Sequence, residues 1–161
     1  MVSRVVTASY ALLIEIDNSL SIPRRISWVL ERGYYTYVGS ASIARPYLRV
    51  LRHLQKVKKV RWHIDILTSN PSVRPILAVL AYGVSEEALY SALATQTLFT
   101  PAVRGFGASD SRNHVTHLFR VNVPDSLEAV RILLRLVLGV RPQQVEIVVG
   151  QIPTGSLPRN R

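Results

Sequence analysis

The run TASYALLIEI, from Thr7 to Ile16, is β-branched, aromatic and aliphatic almost throughout and predicts a strand. Asp17-Asn18-Ser19 follows as a turn, Leu20 to Ile22 reads as a second short strand, and Pro23 interrupts it. ISWVLERG then leads through Gly33 into a strand from Tyr34 to Val38, an order that suggests antiparallel pairing. Pro46 opens a predicted helix to about Lys56, with Leu48, Leu51 and Leu54 directed inward. KVRWHIDILTS fits a strand by alternation or a short helix by its Trp62/Ile66 spacing. Pro75 to Tyr82 reads as a buried strand. Ser85 caps a helix with Glu86 and Glu87 in its first turn and Leu89 and Leu93 along one face. Gly105 to Asp110 is a glycine-rich loop, and His117 to Val123 alternates as a strand. Pro124 and Asp125 open an apolar helix to about Leu138, and VEIVV ends the pattern as a strand.

These elements predict an α/β chain of the α+β kind, a small central antiparallel or mixed sheet flanked by helices. Residues 1–123 form its main domain. Residues 124–152 add a C-terminal βαβ-type extension, a helix and strand packed on the same domain, and 153–161 form a flexible tail. The apolar helix from Leu127 to Leu138 belongs in the core or at a homodimer face, with the core preferred.

Composition narrows the function. With 161 residues and 48% hydrophobic positions the chain can bury a real core. No apolar run reaches the roughly 18 to 20 residues that span a bilayer, so a soluble, cytoplasmic protein without a membrane partner is expected. Cysteine is absent, which removes disulfides and thiolate nucleophiles. The net charge is +10, and Lys56, Lys58 and Lys59 are the only lysines, so arginine supplies most of the positive charge. A heat-adapted surface also carries many charges, but an excess this one-sided favours a polyanionic partner, because the guanidinium fork matches phosphate oxygens.

The charge concentrates around GYYTYVGSASIARPYLRVLRH, residues 33–53. On the helix after Pro46, Arg45, Arg49 and His53 recur at every fourth position, with Arg52 and Lys56 on an adjacent row. Lys58, Lys59 and Arg61 follow. Together Arg45, Arg52, Lys56, Lys58, Lys59 and Arg61 form the expected nucleic-acid-binding face.

Tyr10 in a first strand, Tyr37-Val38-Gly39 ending a later one, and Arg49 with His53 on the next helix resemble the GIY-YIG nuclease superfamily. The run GYYTYVGSA, RH at 52–53, WHID at 62–65, GFGASD at 105–110 and HLF at 117–119 look like one microbial branch of it, some of whose members are fused to DNA-repair glycosylase domains. The resemblance implies a GIY-YIG-like fold and a metal-dependent DNA endonuclease acting in repair or recombination, with DNA expected ahead of RNA and repair proteins as further partners. In that reading Tyr10 activates water beside Tyr37, Arg49 holds the scissile phosphate, and His53 matches the family histidine. A glutamate opening the later helix binds one divalent cation, Mg2+ or Mn2+, and Glu86 is preferred to Glu87 because its helical face carries Leu89 and Leu93. The chain departs from the branch where Ala8-Ser9-Tyr10 lacks a glycine and where Ser111 and Asn113 stand in place of two cysteines.

The chemistry fits independently. Phosphodiester hydrolysis needs positive charge at the phosphate and an in-line water. A phenol titrates near ~10, so Tyr10 acts as a base only if neighbouring charge or a second phenol stabilises its phenolate. His63 is expected to contact phosphate or water. Asp65 is expected mainly as a structural partner of His63, and Gly39, Asp110 and His117 as pocket residues. The alternative function is a nucleic-acid-binding module that keeps the basic face and does not cut.

Overall fold

In β1, Ala8–Ile16, apolar side chains point to both faces. Tyr10, Leu12, Ile14 and Ile16 enter one hydrophobic cluster, and Ala11 and Leu13 enter another. A strand with this pattern must lie inside a sheet covered on both sides. The computed structural model, which describes residues 5–22, 28–108 and 113–150, places it there.

The chain continues through β2 (Leu20–Ile22), β3 (Trp28–Leu30), β4 (Gly33–Ser40), α1 (Pro46–Leu54), α2 (His63–Thr68) and β5 (Val73–Tyr82). It closes with α3 (Glu86–Ala94), β6 (Phe99–Pro101), β7 (Leu118–Val121), α4 (Ser126–Gly139) and β8 (Gln144–Val149). Six strands form one sheet in the order β6-β7-β4-β1-β5-β8, and every neighbouring pair is antiparallel. β2 and β3 make a separate ribbon. The fold is therefore α+β, with helical layers on both faces: Val50 of α1 and Ile64 and Leu67 of α2 in one cluster, Leu89 and Leu93 of α3 with Ala129, Leu133 and Val137 of α4 in the other.

The C-terminal extension is built onto this sheet. The alternating pairings make β7 and β8 run in the same direction, and α4 crosses one face between them, so the segment is a strand–helix–strand crossover. Asp125 caps α4 by accepting from the Glu128 N–H at 2.8 Å. Ala129, Leu133 and Val137 are fully buried, which puts this helix in the core. Among the described residues no helix is long and apolar enough to cross a membrane.

Several expectations change. KVRWHIDILTS contains a helix: the Asp65 carboxylate reaches back to the Arg61 and Trp62 N–H groups at 2.9 and 3.0 Å and anchors its first turn. α1 ends at Leu54 and is rotated from the expected face, since Leu48 and Leu51 are exposed while Pro46, Val50 and His53 are buried. At 3.6 residues per turn, Pro46, Val50 and His53 fall within about 60° of one another, whereas Leu48, Leu51 and Leu54 spread over about 120°. The short edge strand β6 was not expected, because three residues ending in proline leave no periodicity to read. The C-terminal tail from 151 lies outside the described residues.

Candidate functional site

A cleft of about 340 Å³ opens at the end of the sheet where β1 begins and β4 ends, between α1 and the first turn of α3. Tyr10, Tyr37, Gly39, Arg49, His53, Glu86 and His117 all line it, together with Trp62, Gly107 and His114. Seven expected site residues thus meet in one place.

Two glycines seat the tyrosines. Gly39 is the cross-strand partner of Tyr10, and a Cβ there would fall 2.7 Å from Tyr10 Cε1 and closer still to Cζ and Oη. Gly107 has φ +68°, and a Cβ on it would lie 2.8 Å from the Tyr37 ring. Only glycine lets these backbones approach so closely. Tyr37 also packs edge-on against Phe106, with ring centres 5.9 Å apart.

Tyr10 Oη lies 2.8 Å from His53 Nε2, and the contact is buried. The other ring nitrogen, Nδ1, faces the fully buried Asp65 carboxylate at 3.6 Å. Burial pushes the imidazole down to about 4, with Asp65 opposing and Lys58, Arg52 and Arg49 adding to the fall, so His53 is neutral at pH 7. A carboxylate beside Nδ1 favours the tautomer with its proton there, and Nε2 then accepts from the Tyr10 hydroxyl. Asp65 is the anchor of this chain. Burial alone would raise its carboxyl, but the Arg61 and Trp62 N–H groups and Arg52, bonded to both oxygens at 3.0 and 3.1 Å, hold it below the usual range.

The two phenols do not become phenolates by crowding, as the sequence suggested. Burial raises Tyr10 well above its ordinary value, Tyr37 adds to the rise, and Arg49 opposes it only in part. Tyr37 is raised as well, by burial first and then by Glu86 and Asp65. The neutral His53, and not the cationic surroundings, is the group placed against the Tyr10 hydroxyl.

Arg49 Nη1 donates to the Ser40 carbonyl at 2.8 Å, which fixes the half-buried guanidinium at the cleft. Trp62 spreads beneath it, with the Arg49 and Arg52 guanidiniums 5.4 and 4.7 Å from its ring centre. His63 stands behind the cleft. Its Nδ1 accepts from the Gly107 N–H at 3.0 Å and its ring packs on Trp28 and Phe106, so it secures the loop that carries Gly107. Asp65 does not pair with His63; it serves His53 and Arg52 instead.

On the α3 side, Ser85 accepts from the Ala88 N–H at 3.1 Å and caps the helix, placing Glu86 half-buried and Glu87 exposed. Burial raises the Glu86 carboxyl, against His114, the Ser40 amide and Arg49. Glu86 Oε1 lies 3.7 Å from His117 Nε2. His117 is itself lowered to about 4, by burial first and then by His114. His114 Nδ1 is 2.9 Å from His117 Nε2, and its Nε2 is 2.5 Å from Glu87 Oε2. Glu86, His114 and His117 could hold a metal ion. His114 lies outside the motifs that mark the other site residues, and its only sequence signal is its H-x-x-H spacing to His117.

The basic residues divide into two groups. Arg52 is tied to Asp65 and to the Lys59 carbonyl. Lys56 donates to the Asn70 carbonyl at 2.6 Å and to that of Val73. Lys58 donates to the Arg52 and His53 carbonyls at 3.1 and 2.9 Å, and burial first lowers its ammonium to about 8. These three hold the end of α1 and its following loop. Arg45, Lys59 and Arg61 are exposed. Asp110 lies outside the described residues.

Compared with known proteins, residues 9–137 match the family described as Domain of unknown function DUF123. No curated protein matches the chain. No solved structure matches it.

Proposed function

The chain belongs to the DUF123 family, and from that premise we propose that it is a metal-dependent phosphodiester hydrolase, an endonuclease acting on DNA and related to the GIY-YIG nucleases. The observation that carries this reading is the buried Tyr10–His53 contact of 2.8 Å in the same cleft as Arg49 and Glu86. A polarised phenol, a fixed guanidinium and a carboxylate at one cleft are the parts that attack on a phosphate diester requires.

In this mechanism Arg49, held through Nη1 by Ser40, turns its remaining N–H donors to the phosphate oxygens. A water in the cleft donates to Tyr10 Oη. As it attacks phosphorus in line, the opposite P–O bond breaks to release the alkoxide, the water's proton passes to Tyr10 while the Tyr10 proton passes to His53 Nε2, and Asp65 steadies the imidazolium that forms. The relay leaves the phenol neutral throughout, in keeping with its raised pKa.

A divalent cation, Mg2+ or Mn2+, belongs to this reading. The half-buried Glu86 carboxylate, 3.7 Å from His117 Nε2, fits such an ion. When bound, it would polarise a phosphoryl oxygen and offset charge on the leaving alkoxide. Exposed Arg45, Lys59 and Arg61 suit the flanking DNA backbone.

A second reading, a nucleic-acid-binding module that does not cut, draws on the raised Tyr10 pKa, which denies the site a ready phenolate. Labelled single-stranded, duplex and branched DNA, incubated with Mg2+ or Mn2+ and with EDTA, separates the two. The hydrolase reading expects metal-dependent products that disappear in Arg49→Ala. Wild-type protein that binds every substrate and cuts none supports the binding module.

A further inference from the structure

The α3 side of the cleft carries more ligands than a magnesium site needs. A hard cation such as Mg2+ takes oxygen donors, keeps most of its waters and needs few protein carboxylates. Here one carboxylate is joined by two imidazoles. We propose that Glu86 Oε1, His114 Nδ1 and His117 Nε2 form a three-ligand site for a borderline transition-metal cation of the Mn2+, Fe2+, Co2+ or Zn2+ class, in preference to magnesium.

The geometry is close to that of a loaded site. Ligand atoms about 2.0 to 2.2 Å from a common cation lie about 3 to 3.5 Å from one another in octahedral or tetrahedral arrangements. His114 Nδ1 and His117 Nε2 are 2.9 Å apart, Glu86 Oε1 and His117 Nε2 are 3.7 Å apart, and one ligand atom from each of the three residues lies within 4.8 Å of the others. Small side-chain rotations are enough to close the set. A carboxylate with two imidazoles is a donor set that suits manganese, iron, cobalt or zinc.

Both histidines are also held from behind. The His114 ring stacks on Tyr90 with centres 3.7 Å apart and planes 16° apart. Its Nε2 meets the Glu87 carboxylate at 2.5 Å, which leaves Nδ1 directed at His117. A carboxylate on the far nitrogen of a ligating histidine fixes its tautomer and raises its basicity. Glu87, the rival of Glu86 in the sequence, acts here as a positioning residue. His117 is pinned through its backbone, its N–H donating to Phe106 O at 2.8 Å and its carbonyl accepting from Val38 N at 3.0 Å. His114 Nδ1 and His117 Nε2 face each other at 2.9 Å, so both ring nitrogens are aimed at the space between them.

The three ligands line the same cleft as Tyr10 and Arg49, so the site deepens the hydrolase reading and rests on it for the cation's role, but not for binding. The test is therefore a binding measurement on the full chain. Chelator-stripped protein is titrated with Co2+ and with Mg2+, each alone, by calorimetry and by the visible absorption of Co2+. One Co2+ per chain is expected, bound at least 100-fold tighter than Mg2+. His114→Phe keeps a ring to stack on Tyr90 and removes both nitrogens, and should weaken Co2+ at least tenfold. Glu87→Gln should weaken it by about tenfold, the low end of the 10- to 100-fold effect of losing an outer partner. Circular dichroism checks that each variant is folded. Co2+ bound no tighter than Mg2+, or bound equally by folded His114→Phe, overturns the site. Wild-type protein that cuts DNA in Mg2+ but binds Co2+ no tighter than Mg2+ would overturn the site and leave the hydrolase reading intact. Tight, His114-dependent Co2+ binding by a protein that cuts nothing would keep the site and remove that reading.

Discussion

Gly39→Ala should disturb the site without removing a polar group. A Cβ at Gly39 would lie 2.7 Å from Tyr10 Cε1 and closer to Cζ and Oη, and Tyr10 is buried and bonded to His53. The ring has to turn away, which breaks that 2.8 Å contact. Overpacking of this kind costs about 1 to 3 kcal/mol. At roughly 2 to 4 °C per kcal/mol for a chain of this size, Tm should fall by about 2 to 12 °C. Loss of the proton acceptor should slow cleavage by about 100-fold or more, with DNA affinity little changed. A double-mutant cycle with Tyr10→Ala isolates the cause, because the Gly39→Ala penalty should largely vanish once the ring is gone. Calorimetric Tm values for the four proteins supply the numbers. A Gly39→Ala protein as stable and active as wild type, or a penalty just as large without the Tyr10 ring, would refute the reasoning.

Three further predictions concern other parts of the molecule. His53 titrates near 4 when folded against an ordinary 6.5, so the unfolded chain takes up the proton first as pH falls. Stability from this group is complete above about 6.5 and is lost by about 4, a change of about 3 kcal/mol, and urea midpoints at pH 7 and 4.5 should differ less in His53→Gln than in wild type. Arg45→Ala or Arg61→Ala should each lower the slope of log affinity for DNA against log salt by about one unit, whereas Lys58→Ala should mainly lower Tm, since its ammonium holds the end of α1. On α1, Val50→Ala should cost about 2 kcal/mol and Leu51→Ala under about 0.5 kcal/mol; equal costs would contradict the observed helix face.

The sheet was legible because its strands are periodic and bounded by turns. Ala8–Ile16, Leu20–Ile22, Gly33–Ser40 and Gln144–Val149 follow runs that local pattern alone identifies. The face of α1 was not legible, because the side chain that seats it is His53, a polar residue buried by a hydrogen bond to a strand 43 positions earlier. Leucine counting could not anticipate that. The identity of α2 depended on Asp65 folding back on Arg61 and Trp62, a capping contact that strand-like alternation masks. At the site, ordered motifs brought Tyr10, Tyr37, Arg49, His53 and Glu86 to attention, and they share one cleft. The tasks of Arg52, Lys56 and Lys58 stayed hidden because charge in a sequence does not say whether its partner is a solvent phosphate or an internal carbonyl. His114 was missed for a related reason: its partners Glu87 and Tyr90 come from a helix more than twenty residues away.

The central claim is that a water's proton leaves through Tyr10 to His53. Its most direct test is the single-turnover cleavage rate of Tyr10→Phe beside wild type, on a DNA substrate that wild type cuts, with affinity measured on the same substrate. The account predicts a rate lower by about 100-fold or more at unchanged affinity, since the phenylalanine ring fills the same space without the hydroxyl that meets His53. Cleavage by Tyr10→Phe at the wild-type rate would contradict it.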